Sequence, residues 1–338
     1  VKVFLTGGTG YLGGHVARAL LGAGHEVLAL TRSLERCASL VGCGATPVVG
    51  DLLDPSTWGD RIAEADAVVH TAAMVESWGP APEEFDRANI TATLDLLDRA
   101  KQAGVERRIV TSSLFALGPS APGTQKDESA LEEEPGSWSR ANDYVRTKAI
   151  VARKVRDRQR RGSPAILIFP TVLIGPGALT KGNHTARVLA DVGRKRFAGL
   201  VGDGRQVWNL ARVDRVAIGF VQALERGKPG ENYILGGENW TQRELVERAA
   251  RAFGVKPPTR RLGRALPLAV ARGSAWWSAL RGTPPILTRG EVLLYDCNWE
   301  FTSERARREL GYEPEGVQEA LESTVAWLRD EVWARAER

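Results

Sequence analysis

The chain has 338 residues, enough for one or two domains with a sizeable core. Its 43% hydrophobic and 26% charged residues are the balance of a globular protein, not of a disordered or fibrous one. The net charge of +5 is a small excess of 46 basic over 41 acidic residues, too evenly mixed to point to nucleic acid. No stretch reaches the ~18 apolar residues that a bilayer-spanning helix needs. Cys37, Cys43 and Cys297 match no metal-ligand spacing and no disulfide framework, so no metal is expected and a reducing cytoplasm is the expected compartment. The sequence opens directly on a strand pattern, so no signal peptide is expected.

That first strand is the apolar run Lys2-Val3-Phe4-Leu5. Thr6-Gly7-Gly8-Thr9-Gly10-Tyr11-Leu12-Gly13 follows it and leads into a helical pattern from Gly14 to Leu21. Glycines at 7, 10 and 13 in a strand–turn–helix context form a spacing variant of the dinucleotide fingerprint. The turn must be tight, and backbone N–H groups at the helix start must come close to a pyrophosphate. Gly7, Thr9, Gly10, Tyr11, Leu12 and Gly13 are therefore expected at a cofactor.

Further strand patterns lie at 26–30, 46–50, 65–70, 107–111 and 165–169, with helical periods such as Asn89 to Gln102 between them. Nearly all-apolar strands alternating with helices predict an α/β fold of Rossmann type, a doubly wound parallel sheet covered on both faces. The ends of these strands carry the next candidates. Thr31-Arg32-Ser33 ends the second strand, where an NAD-reading enzyme places a carboxylate. A 2′-phosphate needs the reverse, a cation and small hydroxyls, so Arg32 and Ser33, with Arg36 nearby, favour NADP(H) over NAD(H). Asp51 can accept from an adenine amino group while Leu52 packs on the ring, although an N-cap role would also account for an aspartate there. Thr71, Ala72 and Ala73 are small enough for a cofactor to lie against the sheet edge.

Tyr144-Val145-Arg146-Thr147-Lys148 puts Tyr and Lys on one helix face. A tyrosine with a pKa of about 10 is a poor acid–base catalyst at neutral pH. A neighbouring ammonium is expected to lower it, and the same Lys148 can hold a nicotinamide ribose. Ser113, at the end of the strand closing on Thr111-Ser112-Ser113, can hydrogen-bond a substrate oxygen, and Ser112 is the alternative.

After the sixth strand Gly, Pro and Trp become frequent. Helices are predicted over Trp240 to Phe253, capped by Thr241 with Glu244 three residues on, and over Val317 to Trp333. The expected division is a cofactor domain over 1–170, to which 210–235 returns, and a smaller substrate domain from 171–209 and 236–338. Met74, Trp78, Phe115, Trp138, Leu173 and Trp208 are the candidate substrate residues, and their aromatic character points to an apolar or aromatic small molecule. Leu262 to Leu280, with Trp276-Trp277 and arginines at 260, 261, 264, 272 and 281, reads as a lid, a peripheral membrane contact or an ordinary packed helix. Arg146, Arg153, Arg156 and Arg160 crowd the outer side of the Tyr144 helix; like charges meeting across a two-fold axis are costly, which leaves monomer and homodimer equally expected.

These stretches resemble the extended short-chain dehydrogenases/reductases over nearly the whole chain. The match includes the glycine loop at 6–13, Gly50-Asp51-Leu52, His70 to Ala73, Asn89 to Thr93, Thr111 to Ser113, Tyr144 to Lys148, Pro170 to Pro176 and Val213 to Ala217. Within the family the chain is most similar to the branch of dihydroflavonol reductases, 3β-hydroxysteroid dehydrogenase-like proteins and the hopanoid-associated sugar epimerase group. Thr31-Arg32-Ser33, Tyr233 to Asn239 and Pro284 to Thr288 carry that likeness. The resemblance implies Ser113, Tyr144 and Lys148 as the catalytic set, adds Pro170 and Val172 to the cofactor residues, and implies reversible reduction of a ketone or aldehyde. Its nucleotide-sugar epimerases and dehydratases, which keep and recycle their cofactor, usually carry an asparagine just before the Gly-Pro after the sixth strand. Here Thr171 to Pro176 has none, which argues against a UDP-sugar.

Overall fold

Short runs rich in Val, Ile, Leu and Ala form the successive strands β1 (Lys2–Thr6), β2 (Glu26–Thr31), β3 (Thr46–Val49), β4 (Ala67–His70), β5 (Arg107–Thr111) and β6 (Ile166–Pro170) of the computed structural model. It describes residues 1–333 apart from 77, 181, 264, 284 and 286. Arg264, and Pro284 and Ile286 of the family-like stretch, thus lie outside the described residues. Between the strands run α1 (Tyr11–Gly22), α2 (Leu34–Val41), the short α3 (Pro82–Phe85), α4 (Ala92–Gln102) and α5 (Asp143–Arg160).

Beyond β6 the chain continues as β7 (Val172–Ile174), α6 (His184–Gly193), β8 (Leu200–Val201), β9 (Val207–Arg212), α7 (Val213–Arg226) and β10 (Asn232–Leu235). It closes with β11 (Glu238–Thr241), α8 (Gln242–Phe253), β12 (Arg261–Leu262), α9 (Ala265–Arg281), α10 (Arg289–Tyr295), α11 (Glu304–Leu310) and α12 (Val317–Trp327).

The main sheet has seven parallel strands in the order β3-β2-β1-β4-β5-β6-β10. Alternation along each strand feeds two cores. Val3 and Leu5 pack with Val16 and Leu20 of α1 and Phe220 of α7, whereas Phe4 packs with Trp58 and Leu96 on the other face. The strand order reverses between β1 and β4, the switch point at which ligands bind in open α/β sheets. A second sheet, β11-β9-β7, continues from the C-terminal end of β6 and packs with α6, α8 and α12 around Leu189, Trp240, Leu245 and Leu321.

Two predicted helices differ at their starts. The one expected from Asn89 begins with a widened turn over Asp86–Thr91, and regular helix starts at Ala92. Asn89 sits in that turn with its amide engaged elsewhere, and such widened turns recur at functional sites. The helix expected from Trp240 starts at Gln242, because Trp240 and Thr241 belong to β11; Thr241 and Glu244 form the expected capping box.

Candidate active site

The glycine loop is fixed by close packing. A Cβ on Gly13 would sit 2.1 Å from the Gly7 carbonyl oxygen. Gly7 itself has φ +77, and a Cβ there would lie 2.5 Å from Ala72 N, so neither position accepts a side chain. The loop is thereby pressed onto Thr71-Ala72, and the Thr71 hydroxyl donates to the Thr6 carbonyl at 2.7 Å. The N-cap of α1 is Gly10, which offers no side-chain cap, so the first-turn N–H groups are left for an external acceptor. Around Gly10 a Cβ would meet nothing but the Gly7 carbonyl oxygen, which leaves the space a phosphate requires. Tyr11 does not present its side chain there: its hydroxyl donates to the Gly175 carbonyl at 2.8 Å, and only its backbone remains at the helix start.

Arg32 stands exposed just after β2, and among the described residues no acidic partner holds it. The Ser33 hydroxyl is engaged as the N-cap of α2, accepting from Arg36 N at 3.4 Å. Asp51 follows β3 and accepts from Leu53 N at 3.0 Å, while Leu52 packs at the edge of the Phe4 core. These residues and Thr71 to Ala73 all lie at the C-terminal ends of adjacent strands. The set fits a nicotinamide dinucleotide: glycine-lined N–H groups for the diphosphate, and an uncommitted guanidinium beyond them.

The catalytic candidates meet one strand further along. The Ser113 hydroxyl lies close enough to the Tyr144 hydroxyl to favour its ionised form, and it accepts from Phe115 N at 3.3 Å. The Ser112 hydroxyl is buried with no partner among the described residues. Lys148 is buried, donates to the Thr111 carbonyl at 2.8 Å, and lies 6.0 Å from the centre of the Tyr144 ring. An ammonium has three donors, so two remain for a ligand. Burial pushes the Lys148 ammonium down to about 8. Tyr144 departs from the sequence expectation: burial raises its pKa, and the Ser113 hydroxyl only partly offsets this. The Lys148 ammonium, 6.0 Å from the ring centre and bonded to the Thr111 carbonyl, does not offset that burial.

Asn89 holds this arrangement together and carried no assigned role in the sequence. It accepts from Met74 N at 2.7 Å and donates to the Met74 carbonyl at 2.9 Å and to the Thr147 hydroxyl at 3.0 Å. Its side chain thus pins the loop after β4 to α5. His70 is a second such residue. Its ring bridges the Thr6 and Thr93 hydroxyls at 2.6 and 2.9 Å, and burial, reinforced by Lys148, lowers its pKa to about 3 and keeps it neutral.

The candidate substrate residues divide. Phe115 meets Tyr144 edge-on at 6.3 Å and Trp299 edge-on at 4.9 Å. Trp208 is bridged through its backbone to Trp299 and packs on Tyr295 at 4.9 Å, and Tyr295 shares a hydrogen bond with His184. An aromatic wall therefore runs from Tyr144 to α10, and the buried Trp208 indole N–H on it has no partner among the described residues. Trp299, Tyr295 and His184 were not legible as site residues, since they come from segments far apart in sequence. Trp138 lies over the backbone of Gly118, where a Cβ would be 2.8 Å from its ring, so it closes a turn. Leu173 packs against the main core while its neighbour Val172 packs with the aromatic cluster, because β7 alternates. Trp78 is exposed, and Pro170 is buried at the end of β6.

The arginines of α5 do not act as free like charges. Arg156 and Arg160 pair with Glu132, Arg146 with Asp86 and Asp143, and Arg153 donates to the Glu133 carbonyl. The repulsion expected across a two-fold axis loses its basis.

A parallel sheet with this switch point, glycine loop and Tyr–Lys helix defines a nicotinamide-dinucleotide-binding α/β enzyme. The profile of the NAD dependent epimerase/dehydratase family matches residues 3–236, and the chain belongs to that family. It is 31% identical to a 4-hydroxy-2-methyl-3-oxo-4-farnesyl-3,4-dihydroquinoline-1-oxide ketoreductase of Stigmatella aurantiaca, over 92% of each chain. It is 29% identical to a 2-alkyl-3-oxoalkanoate reductase of Stenotrophomonas maltophilia, over 95% of this chain and 97% of that one. The crystal structure of gox2253 superposes with a TM-score of 0.80 at 34% identity, covering 97% of this chain and 98% of that one. The expected likeness to the extended short-chain dehydrogenases/reductases therefore holds. Among the described residues, no helix is long and apolar enough to cross a membrane.

Proposed function

We propose that the protein is an NADP(H)-dependent oxidoreductase that reversibly reduces a ketone or aldehyde on an apolar small molecule. The observation that carries this reading is the convergence of Tyr144, its helix neighbour Lys148 and the nearby Ser113 hydroxyl at the strand ends beside the glycine loop. When bound, the reduced nicotinamide supplies hydride to the carbonyl carbon. Tyr144, kept protonated at neutral pH by burial, gives its proton to the carbonyl oxygen as negative charge develops there. Ser113 donates to the same oxygen as negative charge develops on it. Lys148 has two N–H donors to spare for a ribose diol, and Arg32 offers its guanidinium to a 2′-phosphate.

Two features support an apolar substrate. The wall from Phe115 through Trp299 and Trp208 to Tyr295 is aromatic, with the Trp208 N–H, unpartnered among the described residues, as its polar contact. Both relatives named above act, by their names, on an oxo group carried by a farnesyl- or alkyl-bearing molecule. The test is oxidation of NADPH and, in parallel, NADH against a long-chain β-keto ester, a ketosteroid, an aromatic aldehyde and a UDP-sugar. Turnover of an apolar carbonyl with NADPH preferred is the expected result. A response to the UDP-sugar alone would overturn the substrate class, and preference for NADH would overturn the role of Arg32.

A further inference from the structure

The helix α9 turns its small side to the protein. Pro267, Ala271 and Ser278 are buried and Ser274 is half-buried, a single face of the helix, and the Ser274 and Ser278 hydroxyls donate to the Leu287 and Thr283 carbonyls. The opposite face carries Leu266, Val270, Trp276, Trp277 and Leu280. Trp276 is 66% exposed, Leu280 63% and Trp277 49%. A surface helix normally shows a polar outer face, and a helix apolar on all sides is normally covered on all sides. Here only one side is covered among the described residues.

Charge says what covers the other. No acidic residue stands between Glu247 and Glu291, whereas nine Arg or Lys do. On the helix, Arg272 and Arg281 flank the apolar face on its two sides, and the Arg281 guanidinium lies 4.4 Å above the Trp277 ring. Arg260 and Arg261, both exposed, precede the helix at β12. A second copy of the chain meeting this face about a two-fold axis would set arginine against arginine. Tryptophan rings at headgroup depth, leucine and valine below them and guanidinium groups against lipid phosphates satisfy every part of the surface.

We infer that α9 is a peripheral membrane contact that seats the protein on an anionic lipid surface. The contact does not depend on the chemistry proposed for Tyr144, but its position serves it. α9 packs on α10, whose Gly290 approaches the Ala141 carbonyl so closely that a Cβ would be 1.9 Å from the oxygen, immediately before the Asn142 cap of α5. α10 also carries Tyr295 of the aromatic wall. A bilayer on α9 therefore lies beside the segment that delivers Tyr144.

The test is co-sedimentation of the full chain with vesicles of phosphatidylglycerol and phosphatidylcholine, and with vesicles of phosphatidylcholine alone. Binding to the first and not the second is expected, with a blue shift of tryptophan emission. Trp276→Ser with Trp277→Ser, and separately Arg272→Glu with Arg281→Glu, should each weaken binding on the order of tenfold or more. All four side chains are exposed, so both variants should melt at the wild-type temperature. Wild-type protein left in the supernatant with anionic vesicles would overturn the proposal. So would undiminished binding by the tryptophan variant. A solution dimer that the tryptophan variant dissolves, without vesicle binding, would assign the face to a second copy instead.

Discussion

Asn89 donates from its side-chain amide to the hydroxyl of Thr147, 3.0 Å away and 58 residues along the chain. Thr147 immediately precedes Lys148, and the same amide group also engages both backbone groups of Met74. Replacing Asn89 with Ala removes three hydrogen bonds from a largely buried place. A loss of about 2–3 kcal/mol in chemical denaturation is expected. Asn89→Asp keeps the acceptor for Met74 N but has no amide donors, so it should also destabilise and lower kcat/KM. Wild-type stability and kinetics in Asn89→Asp would show that the two donor bonds carry no weight.

Tyr144→Phe removes the proposed proton donor and little else, since the ring contact with Phe115 is kept. Turnover should fall on the order of 10²–10⁴-fold, the range that general acid–base catalysis supplies. NADPH affinity, followed by fluorescence titration, should stay close to wild type. Retained turnover would remove Tyr144 from the chemistry.

Lys148 offers a prediction about stability with a definite sign. Its folded-state pKa of about 8 lies below the ordinary lysine value because burial penalises the charged form. That penalty is fully present below about pH 8 and disappears as pH rises towards the unfolded-state value of about 10.4. Lys148→Met should therefore be inactive yet more stable than wild type near pH 7, with the gap closing as pH rises towards 10. Denaturation curves of both proteins at several pH values check this. A gap that widens with pH would contradict it.

Arg32 is exposed and has no acidic partner among the described residues, so changing it should leave the fold intact. Arg32→Ala should weaken NADPH binding by roughly 10–100-fold, the worth of a charge-assisted hydrogen bond, and leave NADH unaffected. Equal effects on both cofactors would show that Arg32 does not read the 2′-phosphate.

The sheet was readable because fully buried parallel strands are apolar without interruption, and the glycine loop because its spacing answers to a backbone collision. The neighbours of Tyr144 were half-readable. Two adjacent serines at 112 and 113 are equivalent in sequence, and only the strand's alternation turns one of them to the tyrosine. Leu173 and Val172 turn to opposite cores for the same reason. A one-residue shift leaves the apolar pattern unchanged and reverses the face. Trp138 packs on the turn at Gly118, a contact that sequence spacing does not reveal. Glu132 neutralises arginines 24 and 28 residues away, which charge counting along one helix cannot reveal. Tyr295 and Trp299 reach the aromatic wall only through packing of the C-terminal segment against β9 and Phe115.

The central claim is that this site passes hydride from NADPH to a carbonyl carbon. It is tested most directly by following deuterium from C4-labelled NADPH into the alcohol formed from a long-chain β-keto ester. One deuterium per product molecule at the carbinol carbon is expected, with labelled product formed on the order of 10²–10⁴-fold more slowly by Tyr144→Phe. Protein that carries bound nicotinamide, oxidises no added NADPH and interconverts a sugar nucleotide without net label transfer would contradict it.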